Sequence, residues 1–144
     1  MGGTAAERCI IFAEDDDLFR RAAREVLEQS HLAGEVVACR DGVEFMAALV
    51  ERLTRSGGVA LAVLDIMMPH LDGISAARAL RGLERGLGRK APIPILFLTA
   101  VPPNETLRAA VEECAPARYL QKASNTLRGV LVETVRELIE GARS

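Results

Sequence analysis

Residues 59–65 read VALAVLD, six consecutive apolar residues followed by the carboxylate of Asp65. An uninterrupted apolar run of this length is typical of a strand that is covered on both faces, as in a parallel sheet. Four further segments have strand length: CIIFA (9–13), EVVAC (35–39), PILFL (94–98) and ARYLQ (117–121). The last of them is the most polar, so we expect it at an edge of the sheet.

Amphipathic segments separate these five runs. The first has apolar residues at the helical spacing of Phe19, Ala23 and Leu27. In the second we expect a buried stripe of Val43, Met46, Val50 and Leu53. Residues suited to helix N-caps stand before the helices: Asp41, Asp72, Asn104 and Ser124. Alternating strands and helices predict an α/β fold with right-handed crossovers. We expect a doubly wound, five-stranded parallel sheet of flavodoxin-like order 2-1-3-4-5, with helices on both faces.

The composition fits one globular domain. The chain has 144 residues, of which 49% are hydrophobic and 26% charged, with a formal net charge of −2. We expect residues 1–7 to form a flexible tail and residues 8–144 to form the domain. No basic excess is present and aromatic residues make up only 3%, which argues against direct nucleic-acid binding. The apolar runs are too short to cross a membrane.

The three cysteines, Cys9, Cys39 and Cys114, lie in apolar or helical stretches without paired spacing. An odd number of unpaired cysteines predicts buried free thiols in a reducing compartment. We therefore expect the protein to be cytoplasmic.

Polar side chains collect where the predicted strands end. Glu14 and Asp15 follow the first strand, and Asp65 ends the third. Thr99 ends the fourth strand and Lys122 follows the fifth. Ligands of doubly wound sheets bind outside the carboxyl ends of the strands, where the strand order reverses, so these groups are expected to share one crevice.

Such a cluster suits one kind of chemistry. Carboxylates that lie close together need a counter-charge, and Mg²⁺ is commonly held by a few carboxylate oxygens and water. An ammonium and a hydroxyl can donate to a phosphoryl group, and a carboxylate can act as the nucleophile in phosphoryl transfer. The residues predict Mg²⁺-dependent phosphorylation of Asp65, with Glu14 and Asp15 at the metal. Only Lys90 and Lys122 are lysines among the 18 basic residues, which favours a role for Lys122. Alternatively, an acidic run after a strand can be an N-cap and a solvated turn, as Asp16 and Asp17 illustrate.

Four segments together resemble the response regulator receiver domain of two-component signalling, in its single-domain form. They are IIFAEDD (10–16), LAVLDIMMPHLDG (61–73), PILFLTA (94–100) and YLQK (119–122). The resemblance implies that Asp65 is the phosphoacceptor. It further implies that Asp65 is also a Mg²⁺ ligand, that Asp15 binds the ion directly and Glu14 through water, and that the backbone carbonyl of Met67 is the remaining protein ligand.

The resemblance also implies a switch. Thr99 would supply the hydroxyl that moves to the phosphoryl group, Lys122 would pair with that group, and Tyr119 would turn inward when Thr99 moves. A sensor histidine kinase or phosphotransfer protein would donate the phosphoryl group, and the output would be binding to a downstream protein. Such a domain catalyses its own phosphorylation and dephosphorylation but is not otherwise an enzyme. We expect a monomer or a weak homodimer.

Two features depart from a simple assignment. The family usually has Lys-Pro after the fifth strand, whereas this chain has Lys122-Ala123. Base rates favour a trans bond there. This departure leaves a non-phosphorylated pseudo-receiver, acting as an interaction module, as the alternative function. Residues 81–92 are basic and rich in glycine, and we expect a frayed helix end and an exposed loop, with docking of an acidic partner as the functional alternative.

Overall fold

A computed structural model of the chain describes residues 8–55, 58–123 and 125–143. The strands are β1 (Arg8–Ala13), β2 (Glu35–Cys39), β3 (Gly58–Asp65), β4 (Ile95–Thr99) and β5 (Ala117–Gln121). The helices are α1 (Asp17–Ser30), α2 (Gly42–Leu53), α3 (Gly73–Gly86), α4 (Glu105–Glu113) and α5 (Leu131–Arg143), with a π-helical turn (Thr126–Val130) before α5. The expected tail at residues 1–7 and the expected cap Ser124 lie outside the described residues.

The five strands form one sheet in the order β2-β1-β3-β4-β5, and all neighbouring pairs are parallel. The predicted topology is therefore confirmed. Every residue of β4 is buried, whereas β5 is largely half-buried or exposed, as expected for an edge strand.

Two hydrophobic cores cover the two faces of the sheet. On one face α2, α3 and α4 pack on the sheet through residues such as Phe45, Leu80 and Leu107. On the other face α1 and α5 do so through residues such as Leu27 and Val135. Full burial of a side chain of this size contributes about 1.5–3 kcal/mol, so the two cores supply the main driving force for folding. The three cysteines are buried and free, as predicted. None of the described helices is long and apolar enough to cross a membrane.

The buried face of α2 is only partly the predicted one, since Met46 and Leu53 pack against the core as expected. Val43 and Val50 are 57% and 44% exposed, whereas Phe45 and Leu49 are fully buried. The cause is a close approach at the start of the helix, because a Cβ atom on Gly42 would lie 2.3 Å from the carbonyl oxygen of Leu71. This contact fixes Gly42 against the segment before α3 and turns the stripe at positions 42, 45 and 49 toward the core.

The helix N-caps agree with the sequence. Asp41, Asp72 and Asn104 accept hydrogen bonds from the backbone N–H groups three residues later, at 2.8, 2.8 and 2.9 Å. Asp16 caps α1 in the same way, at 3.0 Å from the nitrogen of Phe19. Each such cap stabilises its helix by about 1 kcal/mol.

The first part of the basic segment 81–92 is helical and partly buried, so the expected frayed helix end is wrong. Arg81 donates to the carbonyl oxygens of Ile93 and Cys114, both at 2.7 Å, and pairs with Glu84 at 2.6 Å. Glu84 is buried and accepts the backbone N–H of Ile93, also at 2.6 Å. Arg81 and Glu84 thus join the end of α3 to the residues before β4 and β5. The expected exposed loop is present at residues 87–91.

Candidate functional site

The carboxyl ends of β1, β3 and β5 bring four charged side chains into one cluster. Carboxylate oxygens of Glu14, Asp15 and Asp65 all lie within 4.8 Å of one another. The ammonium of Lys122 lies 2.5 Å from Oε1 of Glu14 and 3.5 Å from Oδ1 of Asp65. Two of the carboxylates, Glu14 and Asp65, are buried, whereas Asp15 is exposed, so the cluster is accessible from solvent on the side of Asp15.

Glu14 is fixed by its backbone and by one side-chain oxygen. Its N–H donates to the carbonyl of Cys39 at 3.0 Å, and its carbonyl accepts a 3.0 Å hydrogen bond from Arg20. Oε2 accepts the N–H of Asp16 at 3.1 Å. Oε1 is buried and forms its ion pair with the ammonium of Lys122, with no further hydrogen-bond partner among the described residues. This oxygen therefore keeps capacity for a further ligand.

Asp65 is held at the end of β3 by close backbone packing. The next residue, Ile66, donates its N–H to Leu98 at 2.9 Å and accepts the N–H of Gly73 at 3.0 Å. A Cβ atom on Gly73 would lie 2.3 Å from the carbonyl oxygen of Asp65, so only glycine allows α3 to begin there. The N–H of Met67 donates to Oδ1 of Asp65 at 3.3 Å. The Met67 side chain is exposed, and the role of its carbonyl as a metal ligand stays a prediction.

The electrostatics of the cluster disfavour a charged Asp65. Burial and the neighbouring Glu14 carboxylate raise the pKa of Asp65 from 3.8 to about 8, and the Lys122 ammonium only partly opposes this shift. Without an added cation, the ionised form of Asp65 is therefore disfavoured.

These residues fit a divalent cation. Three carboxylates converge around the ammonium of Lys122, and the central carboxyl has a raised pKa in the absence of a cation. An oxygen-only ligand set that leaves positions for water is the arrangement that Mg²⁺ prefers. A cation here would lower the pKa of Asp65 by favouring its ionised form.

Lys122 is positioned by backbone and aromatic contacts. Its N–H donates to the carbonyl of Thr99 at 2.7 Å, which ties the residue to the end of β4. Its ammonium lies 4.8 Å from the centre of the Phe19 ring, a cation–π contact that the sequence pattern did not reveal because Phe19 also fits the apolar stripe of α1. Among the described residues only the Ala115–Pro116 bond is cis, so the Lys122–Ala123 bond is trans, as base rates favoured.

The two expected switch residues lie outside the cluster of charges. Thr99 is buried, and its hydroxyl donates to the carbonyl of Val101 at 2.9 Å and accepts the N–H of Val101 at 3.2 Å. Thr99 is therefore linked to the backbone of Lys122 through its carbonyl, while its hydroxyl is bonded to Val101. Tyr119 pairs in register with Phe97 and is 38% exposed at the edge of the sheet.

Comparison with known proteins agrees with this geometry. The family model of the response regulator receiver domain matches residues 10–135. The transcriptional regulatory protein CseB of Streptomyces avermitilis is 32% identical over 96 residues, which are 67% of this chain and 35% of CseB. The response regulator MprA of Mycobacterium leprae is 42% identical over 92 residues, 62% of this chain and 34% of MprA. The chain thus spans about a third of the length of these relatives.

Solved structures show the same fold. The phosphorylated cyanobacterial phytochrome response regulator RcpA superposes with a TM-score of 0.70 and 27% identity, over 96% of this chain and 95% of RcpA. The receiver domain of the histidine kinase CKI1 from Arabidopsis thaliana, complexed with Mg²⁺ and BeF₃⁻, superposes with a TM-score of 0.71 and 23% identity, over 93% and 90% of the two chains. From its strand order, the carboxylate cluster at the strand ends and the match over residues 10–135, the chain belongs to the response regulator receiver domain family of two-component signalling.

Proposed function

We propose that Asp65 accepts a phosphoryl group from a phosphohistidine of a partner protein in a Mg²⁺-dependent reaction, and that this modification changes a protein-binding surface. The observation that carries the proposal is the placement of Asp65 between two carboxylates and an ammonium, with all three carboxylates within 4.8 Å. An aspartate with only a structural role at a strand end would need neither the neighbouring carboxylates nor the ammonium.

The chemistry assigns a task to each side chain. A carboxylate oxygen of Asp65 attacks phosphorus, the bond from phosphorus to the histidine nitrogen breaks, and the imidazole leaves with the electron pair. Asp15, Glu14 through water, and the carbonyl of Met67 would hold Mg²⁺, which neutralises charge on the phosphoryl oxygens when it is bound. The ammonium of Lys122, already 3.5 Å from Asp65, is placed to donate to a phosphoryl oxygen.

The raised pKa of Asp65 gives a second reason for dependence on the cation. Only the ionised carboxylate is a nucleophile, and burial together with Glu14 raises the pKa of Asp65 to about 8. A cation bound by Glu14 and Asp15 offsets the charge that disfavours ionisation. The same ion therefore favours both the reactive form of Asp65 and the incoming phosphoryl group.

The switch would act through the hydroxyl of Thr99. Phosphorylation adds roughly 1.5–2 negative charges and new acceptor oxygens to the cluster. The Thr99 hydroxyl now bonded to Val101 would instead donate to a phosphoryl oxygen, which releases the loop after β4. Tyr119, half-exposed on the neighbouring strand, would then turn into the vacated space and alter the surface of α4, β5 and α5.

Exposed apolar residues that follow the site residues in the chain suit a protein donor. Leu18, Met67 and Val101 each follow a site residue by two to four positions and are 80%, 68% and 53% exposed. Such side chains can pack against a helical sensor histidine kinase or phosphotransfer protein that brings its phosphohistidine over Asp65.

Labelling with a small phosphodonor tests the proposal. With acetyl phosphate and Mg²⁺, the wild-type chain should gain one acid-stable, base-labile phosphoryl group, and chelation of Mg²⁺ should abolish the reaction. Asp65→Asn should not be labelled. Asp16→Asn is the matched control, because it removes a neighbouring exposed carboxylate but keeps an N-cap residue, and it should be labelled normally. A wild-type chain that is neither labelled nor able to bind BeF₃⁻ would support the non-phosphorylated interaction module instead.

A further inference from the structure

Thr126 bonds to the backbone on both sides of Lys122. Its hydroxyl oxygen accepts the N–H of Ala123 at 2.7 Å and donates to the carbonyl of Gln121 at 3.3 Å. Its own N–H donates to the carbonyl of Ala123 at 3.0 Å. Thr126 is 1% exposed, so water does not compete for these bonds.

The bond from Ala123 exists because this chain lacks proline after the lysine. A prolyl nitrogen carries no hydrogen and could not donate to Thr126. Ala123 has an N–H in a trans peptide, and the Thr126 hydroxyl is its partner. Alanine in place of proline after Lys122 thus adds a backbone N–H donor, and the side chain of Thr126 accepts its hydrogen bond.

Thr126 is itself anchored. It begins the π-helical turn Thr126–Val130, and its carbonyl accepts the N–H of Leu131, the first residue of α5. Leu131 is fully buried in the core against the sheet. The hydroxyl is therefore held by a core helix and is not free to follow the backbone of Lys122.

We infer that Thr126 is a positioning residue for the Lys122 ammonium, a conclusion that rests on the proposed function. The backbone nitrogen of Lys122 is bonded to Thr99, its ammonium lies over the ring of Phe19, and Thr126 bonds to the residues before and after it. Without the hydroxyl, the Ala123 N–H loses its partner and the last turn before α5 loosens. The ammonium would then no longer be held between Glu14 and the phosphoryl position.

Two variants and two ligands test this inference. Thr126→Val removes the hydroxyl at nearly constant volume, and Thr126→Ser keeps it. With saturating Mg²⁺, BeF₃⁻ should bind Thr126→Val about three- to tenfold more weakly than the wild type, the equivalent of one lost hydrogen bond, whereas Thr126→Ser should bind it normally. Mg²⁺ alone should bind Thr126→Val as well as the wild type or more tightly, because the carboxylates that hold it follow β1 and end β3. If Thr126→Val does not fold, Thr126→Ala takes its place.

A double-mutant cycle identifies the bond responsible. In an Ala123→Pro background the N–H donor is absent. There, Thr126→Val should reduce the free energy of BeF₃⁻ binding by less than half of the amount that it does in the wild type. An equal cost in both backgrounds would overturn the inference. So would normal BeF₃⁻ binding by Thr126→Val, or a parallel loss of Mg²⁺ and BeF₃⁻ affinity, which a merely structural role would produce. A wild-type chain that does not bind BeF₃⁻ would instead refute the proposed function.

Discussion

Replacing Asp65 with asparagine is expected to stabilise the protein when Mg²⁺ is removed. Burial and the Glu14 carboxylate raise the pKa of Asp65 from 3.8 to about 8 in the folded chain. Between these two values the folded state binds a proton that the unfolded state has released. The free energy of unfolding therefore falls as the pH rises through this window, by about 1.4 kcal/mol per pH unit. At pH 7 the free energy of unfolding of the wild type is therefore about 4 kcal/mol lower than it would be below pH 4, as far as Asp65 is concerned.

The Asp65→Asn variant lacks this titrating group but keeps a side chain of similar shape. The difference in unfolding free energy between the variant and the wild type should grow by about 4 kcal/mol from pH 5 to pH 8 in the presence of a chelator. Urea titrations followed by circular dichroism at each pH measure this difference. Adding Mg²⁺ should reduce it, because the ion binds the folded wild type and stabilises it by mass action.

A control separates this effect from the general loss of a negative charge. Glu25→Gln removes an exposed carboxylate on α1, and its effect on stability should be small and nearly independent of pH from 5 to 8. If the difference between Asp65→Asn and the wild type stays constant over that range, Asp65 does not titrate as the geometry of the cluster requires and the electrostatic reasoning is wrong.

Three further changes test other parts of the structure. Glu84→Ala removes the carboxylate partner of the largely buried Arg81 guanidinium and should lower the unfolding free energy by about 3 kcal/mol in urea titration. Exposed Glu112→Ala should change the unfolding free energy little. Gly73→Ala places a methyl group 2.3 Å from the carbonyl of Asp65 and should abolish cooperative thermal unfolding; a variant that melts like the wild type would contradict the close backbone approach at the start of α3. Lys122→Arg should still bind Mg²⁺ but lose most labelling by acetyl phosphate, because a planar fork does not replace a compact ammonium beside Phe19; unchanged labelling would argue against a direct role for this lysine.

The strands were predictable because their signal is local. Continuous apolar runs ended by Asp65 and Thr99 gave the buried strands, and the bounds of β2 and β5 agree residue for residue with the structure. The parallel order then placed the strand-end side chains at one edge of the sheet, so the approach of Glu14, Asp15 and Asp65 could be anticipated without coordinates.

The remaining features depend on contacts between distant segments. The rotation of α2 follows from the approach of Gly42 to Leu71, which periodicity within the helix does not encode. Arg81 was expected on the surface, because nothing near it indicates that its acceptor on Cys114 lies 33 positions away. Thr126 carries no signal of its own in the sequence, because its hydrogen-bond partners are the backbone groups of Gln121 and Ala123.

The bonds of Arg81 also constrain how α4 can move. Arg81, on α3, donates to the carbonyl of Cys114, which is the C-cap residue of α4. The ion pair with Glu84, also on α3, holds the Arg81 guanidinium in place. The opposite end of α4 follows the loop after Thr99 and has no comparable anchor to α3 among the described hydrogen bonds. A rearrangement of that loop would consequently rotate α4 as a rigid body about its carboxyl terminus. The largest displacement would then fall at Glu105 and the smallest at Glu113.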